Sequence, residues 1–147
     1  MSTNTAVITR VFEAPREAVW AAVTEPEHFA AWFGHEPFET PVERVEMDVR
    51  PGGIFRAAMV NEREGIEQPF VGRYLEVVPR ERLVQTLANP ADPDDPNVET
   101  LTYTLRDAPG GTELTYHQTG HLPPEQYPLI EQGVAGFFDR LAQHLAS

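Results

Sequence analysis

The side chains with the means to do chemistry are scattered along this chain, and their spacing excludes more than it offers. Five histidines, His28, His35, His117, His121 and His144, show neither the HxH nor the HExxH spacing that gathers zinc ligands locally. His117 and His121 are four apart, but a strand running into a loop does not set such a pair side by side. The only serines, Ser2 and Ser147, stand at the two ends, which leaves no serine nucleophile beside a base. Cysteine is absent, so disulfides, thiolate catalysis and cysteine-held zinc are excluded, while the compartment stays open. No glycine-rich phosphate loop precedes a helix. The stretch from Asn89 to Asn97 holds Asp92, Asp94 and Asp95 but lacks the ligand spacing and closing Glu of a calcium loop, so it reads as a solvated, proline-rich loop. The expectation is no metal, no cofactor and no catalytic set.

What remains is a group of polar side chains set among apolar ones. Gln85 and Gln118 fall on strand faces that are otherwise apolar, beside Leu83 and Leu87 in one case and Leu114 and Tyr116 in the other. A buried amide with no partner costs about 1–3 kcal/mol, so each must find a hydrogen bond from protein, water or ligand. Tyr103 and Tyr116 fall on the same-facing sets of neighbouring strands, with rings toward the C-terminal helix and hydroxyls in need of partners. Either the tyrosines satisfy the amides, or these four groups orient the polar end of an apolar ligand. Trp32, Phe55 and Phe137 join the two tyrosines as candidate walls of such a site, with Phe33, Met59, Tyr74, Leu87 and Val134 completing the candidate lining. Phe12 and Trp20 read as plain core packing in the seam between helix and strand.

The elements that must position these residues follow from period and punctuation. Residues 5–13 read as a first strand, rich in β-branched side chains. Pro15 opens a helix with Val19, Trp20 and Val23 on its buried side. Thr24 and Glu27 have capping-box spacing, which predicts a second short helix over 25–32 carrying Phe29 and Trp32. Val45, Met47 and Val49 alternate with charged residues as a strand, and Pro51-Gly52-Gly53 turns it. Further strands carry Phe55, Ala57 and Met59; then Phe70 to Val78; then Leu83, Gln85 and Leu87. The last two carry Leu101, Tyr103 and Leu105, and Leu114, Tyr116 and Gln118. A helix from Pro128 to Ala146 closes the chain, with Ile130, Val134, Phe137, Phe138, Leu141 and Leu145 as its apolar stripe. Gly133 and Gly136 are expected on its buried side, where they would admit a strand or leave room for a ligand. Six strands ~4.8 Å apart make a sheet roughly 24–29 Å wide, against a helix ~10–12 Å across. One helix cannot cover that face, so the sheet must curl, and uncovered space is filled by large side chains or left as a pocket.

Composition narrows the partners. At 147 residues, with 41% hydrophobic and 10% aromatic content, the chain can bury a core and reads as one domain spanning 1–147. Its 14 prolines fall mostly at turns, as suits a chain of short strands. The formal charge of −12, from 11 Lys+Arg against 23 Asp+Glu, opposes a phosphate backbone, and nucleic acid is excluded as a partner. No apolar run approaches a membrane span and no leader pattern opens the chain, so no membrane insertion and a cytoplasmic location are expected. The expected partner is a small hydrophobic ligand, with the protein itself a monomer or homodimer.

The order strand, two short helices, six antiparallel strands and long helix resembles the helix-grip fold of the START-like (SRPBCC) superfamily, an α+β class. Within it, the chain resembles the bacterial branch known as activator of heat-shock-protein-90 ATPase homologue-like. The matching segments run from about Val7 to Leu145: Arg10 to Pro15, Val19 to Glu27 leading to Trp32, Met47 to Gly53, Gly72 to Pro79, Arg82 to Val84, and Gly136-Phe137 with Leu141. These are turns, caps and packing anchors, so the resemblance transfers a fold before an activity. Two positions depart from it: the family often has tryptophan where Phe137 stands and an aromatic where Gln85 stands. The second departure implies a polar group in the pocket. The resemblance implies binding of lipid-like, hormone-like or polyketide-like molecules, with a polyketide cyclase-like enzyme using a Tyr or Glu as the alternative. Stimulation of a chaperone ATPase ranks below both, because a single domain of this length lacks the additional domain expected of a true co-chaperone.

Overall fold

Alternation of buried and exposed residues builds the sheet, and it is cleanest in the two strands that matter most for the cavity. In β6 (Glu99–Ala108) Leu101, Tyr103 and Leu105 are buried, and in β7 (Gly111–Thr119) Thr112, Leu114, Tyr116 and Gln118 are buried, with their neighbours turned outward. The computed structural model describes residues 4–34, 37–92 and 94–146; His35, Pro93, Ser2 and Ser147 lie outside the described residues. The other strands are β1 (Thr5–Phe12), β2 (Glu46–Met47), β3 (Ile54–Asn61), β4 (Ile66–Val78) and β5 (Arg82–Leu87). They form one curved, wholly antiparallel sheet in the order β1-β7-β6-β5-β4-β3-β2. Helices α1 (Arg16–Thr24) and α2 (Pro26–Trp32) follow β1, and α3 (Tyr127–Ala146) ends the chain. This is the helix-grip arrangement.

Several boundaries differ from the expectation for local reasons. Thr24 does not cap α2. It is still inside α1, and its hydroxyl donates to the Trp20 carbonyl one turn back at 2.7 Å. Pro26 forces the preceding Glu25 into extended backbone (φ −110°, ψ 129°), and this break separates the two helices without a side-chain cap. Strand β2 is two residues long, not the five of the Val45–Val49 alternation. The Arg50 N–H bonds back to the Asp48 carbonyl and the Gly53 N–H to the Arg50 carbonyl, so the turn takes Val49 out of the ladder. Strand β4 begins at Ile66, ahead of Phe70. Pro69 is tolerated there because that half of β4 pairs only with β3, leaving its missing N–H on a free edge. Helix α3 starts one residue before Pro128, after a 3₁₀ turn over Pro124–Gln126.

The bend of the sheet has two visible sources. A register shift in β4 between Tyr74 and Glu76 leaves Leu75 exposed. At Gly72 a Cβ would lie 1.7 Å from the Thr86 carbonyl oxygen, an approach that only glycine permits. The main core fills the concave face: Phe12 meets Phe138 edge-on at 5.6 Å, Phe29 meets Phe55 at 5.6 Å, and the Trp32 indole donates to the Ala22 carbonyl at 2.7 Å. Val134, Phe138 and Leu141 of α3 are buried, while Ile130, Phe137 and Leu145 are only half-buried. Gly136 is exposed, and added Cβ atoms at Gly133 and Gly136 would meet nothing within 4 Å. Neither glycine brings α3 close to a strand; Gly133 borders open space between α3 and the sheet, and Gly136 lies on the exposed side instead of the buried one. Among the described residues no helix is long and apolar enough to cross a membrane.

Candidate ligand-binding cavity

Between β5–β7 and α3 the side chains do not meet, and a cavity of about 360 Å³ remains. Trp32 and Phe33 at the end of α2 close one side, with Phe70 of β4 and Leu87 of β5. The sheet contributes Glu99, Leu101, Tyr103, Tyr116 and Gln118, and α3 contributes Ile130, Gly133, Val134, Phe137 and Phe138. The cavity reaches the surface beside Leu122 and the exposed Gln126. Phe33 touches both Phe70 (centroids 5.2 Å apart) and Phe137 (5.3 Å), so the aromatic wall is continuous from α2 to α3. Two surface clefts are larger, about 720 and 710 Å³, but they are open grooves among charged groups. The first is spanned by the Arg16–Asp107 ion pair, and the second is edged by Glu39, Glu62, Arg63 and Arg140. Apolar walls with a few convergent polar groups define a small-molecule site better than volume does.

The polar groups converge at one end. The Tyr116 hydroxyl donates to Gln118 Oε1 at 2.5 Å, and Gln118 Nε2 donates to Glu99 Oε1 at 3.0 Å. The Tyr127 hydroxyl donates to the same carboxylate oxygen at 2.8 Å, and the His121 backbone N–H donates to Glu99 Oε2 at 2.7 Å. Tyr127 in turn accepts the Leu122 N–H at 3.2 Å. Burial pushes the Tyr116 phenol well above its ordinary range, with the neighbouring Tyr103 and Glu99 adding to the effect. Tyr103 is raised by burial alone, and Tyr127 by burial and then by its bond to Glu99. All three phenols are therefore neutral hydrogen-bonding groups near neutral pH.

Of the residues singled out in the sequence, Trp32, Phe33, Leu87, Tyr103, Tyr116, Gln118, Val134 and Phe137 stand on the cavity wall. Phe55, Met59, Tyr74 and Gln85 do not line it. Phe55 and Tyr74 lie toward the β3–β4 side, packed edge-on against each other at 6.2 Å, and are fully buried. The Met59 sulfur lies beside Gly34. Gln85 is buried in the sheet between its register partners Tyr74 and Leu101. Phe70, Glu99, Leu101, Leu122, Gln126, Ile130 and Phe138 also line it, beyond the candidate lining the sequence singles out, and Gly133 lines it as one of its two expected uses. For Glu99 a signal existed: it shares strand parity with Leu101, Tyr103 and Leu105, as Gln118 does with Leu114 and Tyr116. No spacing rule could pair His28 with His144, whose Nδ1 and Nε2 come within 2.9 Å across the α2–α3 contact.

Known proteins share this architecture. The family described as "Activator of Hsp90 ATPase homolog 1-like protein" matches residues 13–146. The crystal structure of protein CV1439 from Chromobacterium violaceum is 31% identical, with a TM-score of 0.82 and 98% of each chain covered. Protein NE0264 from Nitrosomonas europaea is 30% identical, with a TM-score of 0.80, over 97% of this chain and 94% of that one. DynU16, from the dynemicin biosynthetic locus, shares the fold at 22% identity and a TM-score of 0.75, over 98% of this chain and 48% of its own. No curated protein matches the sequence.

Proposed function

The chain belongs to the activator of Hsp90 ATPase homolog 1-like family of the START-like superfamily, and from that premise we propose that it binds a small, largely apolar molecule between its sheet and α3. The observation behind this is the 360 Å³ cavity itself, aromatic and aliphatic on most sides and polar at one end. Such a volume lies at the small end of the roughly 300–1,000 Å³ usual for ligand sites, which favours a compact ring system or short chain over a two-tailed lipid. Binding by enclosure asks nothing of the residues beyond shape and dryness, and the aromatic walls provide both. Stimulation of a chaperone ATPase, which the family name describes, draws on no feature of this cavity and is tested separately with a purified chaperone.

The reading is tested by unfolding the protein with and without compact aromatic ligands. A ligand that binds only the folded state, present at about 100 times its Kd, adds about 2.7 kcal/mol and raises Tm by roughly 5–10 °C for a chain of this size. Gly133→Leu supplies the control. Its Cβ starts in open space on the cavity wall, so the longer side chain grows into the volume a ligand would take. The variant is expected to be at least as stable as the parent and to lose the ligand-induced shift. A shift of equal size in both proteins would place the ligand elsewhere.

A further inference from the structure

The hydrogen bonds around Glu99 have only one consistent direction, and that direction says what the cavity can still offer a ligand. A carboxylate accepts and does not donate. Gln118 must therefore turn its NH₂ toward Glu99, which turns its carbonyl oxygen toward Tyr116 and obliges the Tyr116 hydroxyl to donate. Tyr127 likewise commits its proton to Glu99 while accepting from Leu122. Both phenolic protons are consumed within the network. What stays available is mainly lone pairs: on Tyr116, on Gln118 Oε1 and on the Glu99 carboxylate. One N–H of Gln118 and the Tyr103 hydroxyl, which can act either way, are the exceptions.

The carboxylate is also fixed in place. Three donors hold it, and a Cβ at Gly120 would lie 1.8 Å from Glu99 Oε2, so the backbone there abuts the carboxylate. Glu99 is half-buried, so water screens its outer side, while on the cavity side its neighbours are largely apolar and its negative charge faces whatever enters. We infer that the ligand carries a hydrogen-bond donor, a hydroxyl or an amine, directed at the Glu99–Gln118–Tyr116 end, and that carboxylate ligands are rejected. This rests on the ligand-binding reading above and adds to it the chemistry of the ligand's polar end.

The test uses four probes with one apolar body (naphthalene, naphthol, naphthylmethylamine and naphthoate), titrated into the whole protein at neutral pH and followed by NMR. Naphthol and the amine are expected to bind about tenfold more tightly than naphthalene, and naphthoate at least tenfold more weakly than naphthol. Glu99→Gln removes the negative charge and should bring naphthoate binding toward that of naphthol and cancel any lead of the amine over naphthol; the parent series stands without it if that variant fails to fold. An amine that beats naphthol at low salt and loses the lead at high salt assigns a cationic head, and equal binding assigns a neutral one. Naphthoate binding as well as naphthol, or no difference between naphthol and naphthalene, overturns the donor inference and leaves the ligand reading intact. Resonances of Trp32 and Tyr103 that respond to none of the four overturn the ligand reading itself.

Discussion

Tyr74 is a buried tyrosine whose hydroxyl has found nothing to bond. Its side chain is 0% exposed, and its Oη is a sealed side-chain polar atom without a partner among the described residues. An unmet buried hydroxyl costs about 1–3 kcal/mol, whereas the ring's packing against Phe55 is kept in phenylalanine. Tyr74→Phe is therefore expected to raise stability by about 1 kcal/mol, read as a higher urea midpoint with an unchanged slope. A loss of stability would mean that the hydroxyl is satisfied after all. Parity of strand position placed Tyr74, like Phe55, on the concave face. It could not tell which concave residues meet α2 and which face open space. Gln118 and Glu99 show the same limit from the other side. The amide's need for a partner was readable from its apolar neighbours, and Tyr116 meets it as one of the two options, but the second partner, Glu99, sits 19 residues earlier across the β6–β7 hairpin.

At the level of elements, most of the chain was legible because period and punctuation agree, as in the stripe of α3 and the alternation of β6 and β7. The failures fell where a local signal had two uses. Thr24 satisfies the capping-box spacing, but Pro26 fixes the break so that Thr24 stays in α1. Strand parity put Tyr103 beside Tyr116, but contacts between helices left no trace in the sequence, and the α2–α3 junction is the clearest case. There His28 and His144 share a 2.9 Å contact, with Glu25 Oε1 3.9 Å from His28 Nε2. Partial burial, and then the nearby His28, hold the His144 imidazole below its ordinary range. Because the unfolded chain takes up that proton at higher pH than the folded one, the contribution is intact above the unfolded value of about 6.5 and fades as pH falls. Urea midpoints are expected to drop between about pH 7 and 5.5, and His144→Gln should flatten that slope. An unaltered slope in the variant would assign the acid sensitivity to other groups.

For the molecule as a whole, the mismatch between a broad sheet and a single covering helix was readable from element count, but the place of the uncovered volume was not. That place depends on where β4 bends, which Gly72 and the register shift after Tyr74 decide through contacts with β5. Net charge, by contrast, is fully readable, and it reaches further than any single pair. The ion pairs among the described residues are all on the surface, where each contributes about 0–1 kcal/mol. With 23 acidic against 11 basic side chains, most carboxylates cannot be paired, and their mutual repulsion opposes the compact state. Raising NaCl from about 0.01 to 1 M shortens the screening length from roughly 30 to 3 Å and weakens both effects. Long-range repulsion of −12 charges outweighs the local pairs, so Tm is expected to rise with salt; a fall would show that the pairs dominate. The same field bears on binding. It points the same way as Glu99, drawing cations toward the protein and holding anions off, so the association rate of an amine ligand should fall as salt rises while that of a neutral alcohol stays level. Matching salt dependence for the two would confine the discrimination to the cavity end and leave the surface charge to solubility.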